Sequence, residues 1–169
     1  METNHLIIRK FISDDFIDFS SLIRDKMASK YAIYDQPFPT DDENLQNILL
    51  FFINSDEFFA VALKPEDKVI GFVSLNKVDD KTRNLGYCLH SMVQKKGYAT
   101  EAVSALIQYA KEDLNLSQLI CGTAKENTPS VSLLQKMGFI KTGENIGSFM
   151  NDEHGKPIEF IGYTYELKL

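Results

Sequence analysis

The chain of 169 residues has no tryptophan, two cysteines and three histidines. Cys88 and Cys121 do not form a C-x-x-C pair, and two cysteines do not make a disulfide framework. His5, His90 and His154 are scattered and lack ligand spacing, so no metal is expected. Long apolar runs are missing as well. The run Ile48 to Ile53 is far shorter than the about 18 residues of a membrane helix. With no secretory signal and no span, a reducing cytoplasm is the expected home, and no membrane partner is expected. Positive charge is not in excess: the formal net charge is -6. An acidic surface repels a phosphate backbone, which argues against nucleic acid and suits amines or basic peptides. Repeats, low-complexity tracts and linkers are also absent.

What remains is an ordinary globular composition, 44% hydrophobic and 25% charged, in a length that suits one domain over residues 1–169. Periodicity then gives the elements. His5 to Phe11 reads as a strand. Asp14 to Ala28 carries a helical stripe of Phe16, Ile17, Phe19, Leu22, Ile23 and Met27. Pro37 and Pro39 mark a loop from Tyr31 to Thr40. A second helix is expected after Thr40, with Thr40 as cap and Glu43 as its capping-box partner. Three strands follow as an antiparallel meander, at Phe58 to Leu63, Val69 to Asn76 and Asn84 to His90. Tyr98 to Asp113 is a long amphipathic helix. Leu119 to Thr123 is a strand, and Asn127 to Met137 a short helix closed by Gly138. Two strands near Phe139 to Phe149 and Phe160 to Leu167 end the chain. This order predicts a mixed α/β domain with four helices around one mostly antiparallel sheet. A strand–helix–strand crossover would set Asn84–His90 and Leu119–Thr123 side by side and parallel.

Two stretches carry chemistry. The first joins a strand to the long helix: Gln94-Lys95-Lys96-Gly97-Tyr98-Ala99-Thr100. The first turn of a helix leaves N–H groups without partners at the positive end of the dipole. A diphosphate accepts bonds from such donors. Gly97 and Ala99 admit close approach, Lys95 and Lys96 add positive charge, and Thr100 adds a hydroxyl. The same residues also suit a plain glycine turn with solvated lysines. The spacing is neither G-x-G-x-x-G nor a Walker loop, so NAD and ATP sites are not expected. The second stretch is Asn127-Thr128-Pro129-Ser130, then Leu133-Leu134 and Lys136-Met137-Gly138-Phe139. Helix capping explains much of it: Asn127 or Thr128 as N-cap, Pro129 in the first turn and Gly138 at the end.

Together the two stretches resemble the GNAT acetyltransferases. Gln94 to Ala99 is similar to their Q/R-x-x-G-x-G/A signature. The run from Asn84 through Ala102, with Asn127-x-x-Ser130 and Lys136-x-Gly138-Phe139, resembles the branch that includes ribosomal-protein N-terminal acetyltransferases. The resemblance implies splayed strands holding acetyl-CoA as the acetyl donor. Gln94, Lys95, Lys96, Gly97, Tyr98, Ala99 and Thr100 would bind its pyrophosphate. Cys88, Leu89 and His90 would pair with the pantetheine arm, with a backbone N–H there on the acetyl carbonyl, and Met92 and Val93 would continue along the arm. Asn127 would bind the arm, and Ser130 would donate to the departing thiol.

The resemblance also implies direct transfer to a primary amine, without a covalent intermediate. The acceptor is expected to be a protein N-terminal α-amine or a small amine such as a polyamine, amino acid or aminoglycoside. A non-catalytic acyl-CoA-binding module is a third reading. Related enzymes often carry a glutamate base where Asn84 stands here. Glu144, Glu153, His154, Tyr34 and Asp35 are candidates by location only. Cys88 and Cys121 lie in apolar strand patterns and read as buried structural thiols. No feature encodes an oligomeric state.

Overall fold

Every residue of one strand from Val69 to Leu75 is buried. A strand buried on both faces needs cover on both sides. The computed structural model, which describes residues 1–169, supplies it with two pairs of helices. The elements are β1 (Leu6–Arg9), α1 (Phe16–Ala28), α2 (Asp42–Asn54), β2 (Phe58–Leu63), β3 (Lys68–Lys77), β4 (Thr82–Leu89), α3 (Tyr98–Glu112), β5 (Gln118–Ala124), α4 (Thr128–Lys136), β6 (Ile140–Gly147) and β7 (Phe160–Lys168). Short 3-10 turns lie at Ser13–Asp15, Ala32–Tyr34 and Ser91–Val93. The seven strands form one sheet in the order β1-β2-β3-β4-β5-β7-β6.

Two cores follow from the two faces. Against α1 and α2, Phe11, Phe19, Leu22, Leu45, Phe52 and Phe72 pack together. Phe52 stacks on Phe58 with ring centres 4.0 Å apart and meets Phe11, Phe19 and Phe72 edge-on. Against α3 and α4, the core holds Leu6, Val73, Leu85, Val103, Leu106, Leu119, Leu134 and Tyr165. Burial of each such side chain contributes about 1.5–3 kcal/mol.

Only β4 and β5 run parallel, as the crossover predicts. They pair at just three positions, Thr82↔Gln118, Arg83↔Leu119 and Asn84↔Ile120. Beyond Asn84, β4 stays with β3 as far as Gly71↔Leu89. Beyond Ile120, β5 stays with β7 as far as Ala124↔Gly162. The sheet therefore opens between them.

Several boundaries differ from the sequence expectation. The cap of α2 is Asp41, whose carboxylate accepts from the Asn44 N–H at 3.0 Å. Thr40 is exposed, and its carbonyl accepts from Arg24 Nε at 3.0 Å. A carboxylate suits the positive helix end better than a hydroxyl, so the cap lies one residue later and the Thr40–Glu43 box does not form. The first strand ends at Arg9, whose guanidinium turns to Asp15 at 2.9 Å and Asp67 at 3.0 Å. Phe11 then leaves the sheet for the α1–α2 core.

Close approach of β3 to β4 depends on Gly71. A Cβ there would stand 2.4 Å from the Cys88 carbonyl oxygen and 2.9 Å from Leu89 Cγ. Gly71→Ala is expected to lower stability by about 1–3 kcal/mol through this overpacking. Urea unfolding checks it; an unchanged midpoint would contradict the packing described.

Candidate active site

The opening between β4 and β5 exposes main-chain groups of β4. Successive residues of a strand turn their amides to opposite sides. The His90 N–H donates to the Ile70 carbonyl at 2.8 Å, on the β3 side. The Cys88 carbonyl also faces β3, against Gly71. Leu89 and Tyr87 therefore turn their amides toward the opening. Of the three residues Cys88, Leu89 and His90, Leu89 is the one whose N–H faces the gap.

After β4 the chain is braced by α1. Asp25 accepts from the Ser91 N–H at 2.8 Å and from Ser91 Oγ at 2.5 Å. His90 Nδ1 accepts from the Met92 N–H at 3.3 Å, and Nε2 lies 3.4 Å from Ser21 Oγ. His90 thus caps the turn that follows the strand. Met92 is 73% exposed, whereas Val93 packs against the core. The backbone then bends through Lys95 at φ 62 and Gly97 at φ 87, both left-handed. The first bond of α3 is Glu101 N–H to the Gly97 carbonyl at 3.0 Å. The six amides from Lys95 to Thr100 donate to no protein acceptor. Gln94, Lys95, Lys96 and Gly97 are exposed; Tyr98, Ala99 and Thr100 are half-buried. No atom lies within 4 Å of a Cβ built on Gly97. Consecutive unpaired amides at the positive end of a 15-residue helix, with two lysines beside them, fit a diphosphate.

The opposite wall of the gap begins at α4. Asn127 is the N-cap, and its Oδ1 accepts from the Ser130 N–H at 3.4 Å. Pro129 sits in the first turn, and Gly138 takes φ 85 after the helix. The capping reading of Asn127 therefore holds in full. Ser130 Oγ is 2.7 Å from the Tyr87 hydroxyl, which reaches it from β4. Ser130 is thus tied to β4 through Tyr87.

Known proteins resemble this chain in sequence and fold. A family described as acetyltransferase (GNAT) domain matches residues 5–140. The chain belongs to the GNAT acetyltransferase family. An N-acetyltransferase of Bacillus subtilis, YnaD, is 30% identical over 147 residues, covering 83% of this chain and 82% of its own. The ribosomal-protein-serine acetyltransferase of Escherichia coli is 29% identical over 92 residues, 53% of this chain and 50% of its own. A GNAT acetyltransferase structure from Bacillus anthracis superposes with a TM-score of 0.82 at 22% identity, covering 99% of this chain and 97% of that one. The expected α/β fold and the acyltransferase class both stand.

In this GNAT domain the remaining candidates separate by position. Asn84 is exposed at the closed end of the gap, paired with Ile120. It lies roughly 13 Å along the strand from Cys88, at about 3.3 Å per residue. Glu144 pairs with Lys141 on β6, the outer edge of the sheet. Glu153 and His154 pair with each other at 3.4 Å in an exposed turn. None of these three meets Ser130. Tyr34 packs edge-on against Phe160 at 5.4 Å, and Phe149 stacks on Phe160 at 5.7 Å. This aromatic arch joins the α1–α2 loop to the β6–β7 hairpin. Asp35 stands beside it, paired with Lys26 at 2.7 Å.

Sequence reasoning missed Tyr87. Its signal was the alternation Leu85-Tyr87-Leu89, which sets the phenol on the α3–α4 face with Leu85. Burial chiefly, with the nearby Cys121 and Tyr165, pushes the phenol well above its ordinary value; the bond to Ser130 offsets part. Tyr87 therefore stays neutral and able to donate.

Cys121 is buried as expected, but Cys88 is only half-buried, packed beside the α1–α2 core. Burial pushes the Cys88 thiol up to about 12; Lys26 opposes this, and Asp35 and Asp25 reinforce it. Burial likewise pushes Cys121 up to about 12. Neither is a thiolate near neutral pH, so neither is set up as a nucleophile. Alkylation by iodoacetamide is expected to be slow at pH 8. Its rate should rise about tenfold per pH unit to pH 10 without levelling. A plateau near pH 9 would contradict the raised values.

Proposed function

We propose that this GNAT domain binds acetyl-CoA in the gap between β4 and β5 and transfers the acetyl group to a protein N-terminal α-amine. The observation that carries the reading is the run of six unpaired amides from Lys95 to Thr100 at the mouth of that gap. Acetyl-CoA supplies an activated acetyl group as a thioester. The amides, with Lys95 and Lys96, bind its diphosphate. Gln94, Met92 and Val93 line the path toward the strand. The β4 edge at Cys88 to His90 offers main-chain partners to the pantetheine arm, and Asn127 borders it from the other wall. The Leu89 N–H faces the gap and stabilises negative charge that develops on the acetyl oxygen. Ser130 donates a hydrogen bond to the departing sulfur. A serine hydroxyl is a weak acid, so its role is donation rather than full proton release.

Charge on the other face supports this acceptor class. A polyamine carries several cations and needs several free carboxylates. Asp35 is already paired with Lys26, and Asp25 is already bound by Ser91. The aromatic arch of Tyr34, Phe149 and Phe160 suits the apolar and main-chain body of a peptide. An α-amine has a reference pKa of about 7.7–8.0, so about a tenth is neutral near pH 7. Such an acceptor needs only a weak base or water, consistent with asparagine at position 84. The name of the Escherichia coli relative points the same way.

Substitutions at two positions separate binding from turnover. Gly97→Glu sets a carboxylate beside the amides and is expected to abolish acetyl-CoA binding. Gly97→Asn tolerates the left-handed backbone and should bind within about tenfold of the parent. Equal affinity for all three proteins would overturn the loop assignment. Ser130→Ala is expected to keep the affinity and lower kcat by about 10²-fold. Thiol release from acetyl-CoA should be stimulated by peptides with free N-termini more than by polyamines; the reverse order would overturn the acceptor class.

A further inference from the structure

We propose that Tyr87 is a positioning residue that aims the Ser130 hydroxyl into the gap; this rests on the reading of Ser130 given above. The hydroxyls are 2.7 Å apart, and each has one hydrogen. Tyr87 has two acceptors within reach, Ser130 Oγ at 2.7 Å and the Ser130 carbonyl at 3.4 Å. Both belong to the first turn of α4, so the phenol docks on that turn whichever it uses.

The shorter contact sets the direction. A half-buried phenol hydrogen without an acceptor is costly, and Oγ is the nearer acceptor. If Tyr87 donates, the Ser130 hydrogen is released from Tyr87 and turns to the gap. If Ser130 donated instead, its hydrogen would be spent on Tyr87 and the phenol hydrogen left with the long contact. Donation by Tyr87 also polarises the serine O–H and makes it a better donor.

Ser130 is then held twice. Asn127 accepts from its N–H at 3.4 Å, and Tyr87 holds its side chain. Serine in a first helical turn otherwise bonds local backbone groups. Here that alternative is replaced by a partner from β4, on the far side of the opening. Tyr87 itself sits against the α3–α4 core with Cys121 and Tyr165. The phenol is thus anchored by the core while its oxygen bridges the two walls.

The test is a double-mutant cycle on Tyr87→Phe and Ser130→Ala, with kcat and the acetyl-CoA KM measured for each. Tyr87→Phe removes one oxygen and keeps the ring, so unfolding midpoints should match the parent. It is expected to lower kcat about tenfold, with the KM within about twofold. The double variant should be no slower than Ser130→Ala alone, because the phenol acts only through the serine. Rates that multiply, or full activity in Tyr87→Phe while Ser130→Ala is slow, would overturn the inference and leave the serine reading standing. Full activity in Ser130→Ala would overturn both.

Discussion

Three residue pairs hold β4 to β5, and the sheet is open beyond them because there are no more. Each strand keeps its outer partner beyond Asn84 and Ile120, so the sheet parts where two parallel strands would otherwise close. An open sheet has unpaired main-chain groups, which are a cost unless something satisfies them. Here they form one wall of the opening, with the Leu89 N–H turned into it, and the proposed acetyl-CoA would satisfy them. The large cores on both faces pack against the parted strands. The phenylalanine cluster around Phe52 supports β3, and β3 in turn carries β4 through Gly71. Packing far from the gap therefore sets the place of the donors in it.

The same economy holds at the two helix starts. The amide run before α3 has no protein acceptor, whereas the start of α4 is capped by Asn127. One helix end keeps its donors free, as the proposed diphosphate site needs, and the other is closed by its own cap. The start of α3 is tied to distant elements. Asp25 of α1 secures the turn at Ser91. Glu101 of α3 accepts from Thr3 Oγ1 and from the His5 N–H at 2.8 Å. Burial alone would raise its pKa, but these bonds outweigh it and hold Glu101 below its ordinary value. The loop is therefore clamped on both sides.

Local pattern made much of this legible. The helical stripes, Gly97 before α3, Gly138 after α4 and the parallel crossover were all readable, because each depends on residues close in sequence. The resemblance rested on Gln94 to Ala99 and on Asn127 with Ser130. Contacts between distant segments were not readable. Tyr87 meets Ser130 across 43 positions. Tyr34 meets Phe160 only because the α1–α2 loop and the last hairpin share one side of the sheet. The shift of the α2 cap from Thr40 to Asp41 was a local choice between two good caps, decided by charge and by Arg24 drawing off the Thr40 carbonyl. The half-exposure of Cys88 was not readable, because an apolar strand pattern does not encode how fully the facing helices cover each residue.

The central claim is that the parted strands and the amide run form a site for acetyl-CoA. Calorimetric titration of the purified protein with acetyl-CoA, beside ATP and NADH, tests it most directly. The expected result is saturable binding of acetyl-CoA at micromolar concentration, with ATP and NADH much weaker. No heat with acetyl-CoA, or equal affinity for all three, would contradict it.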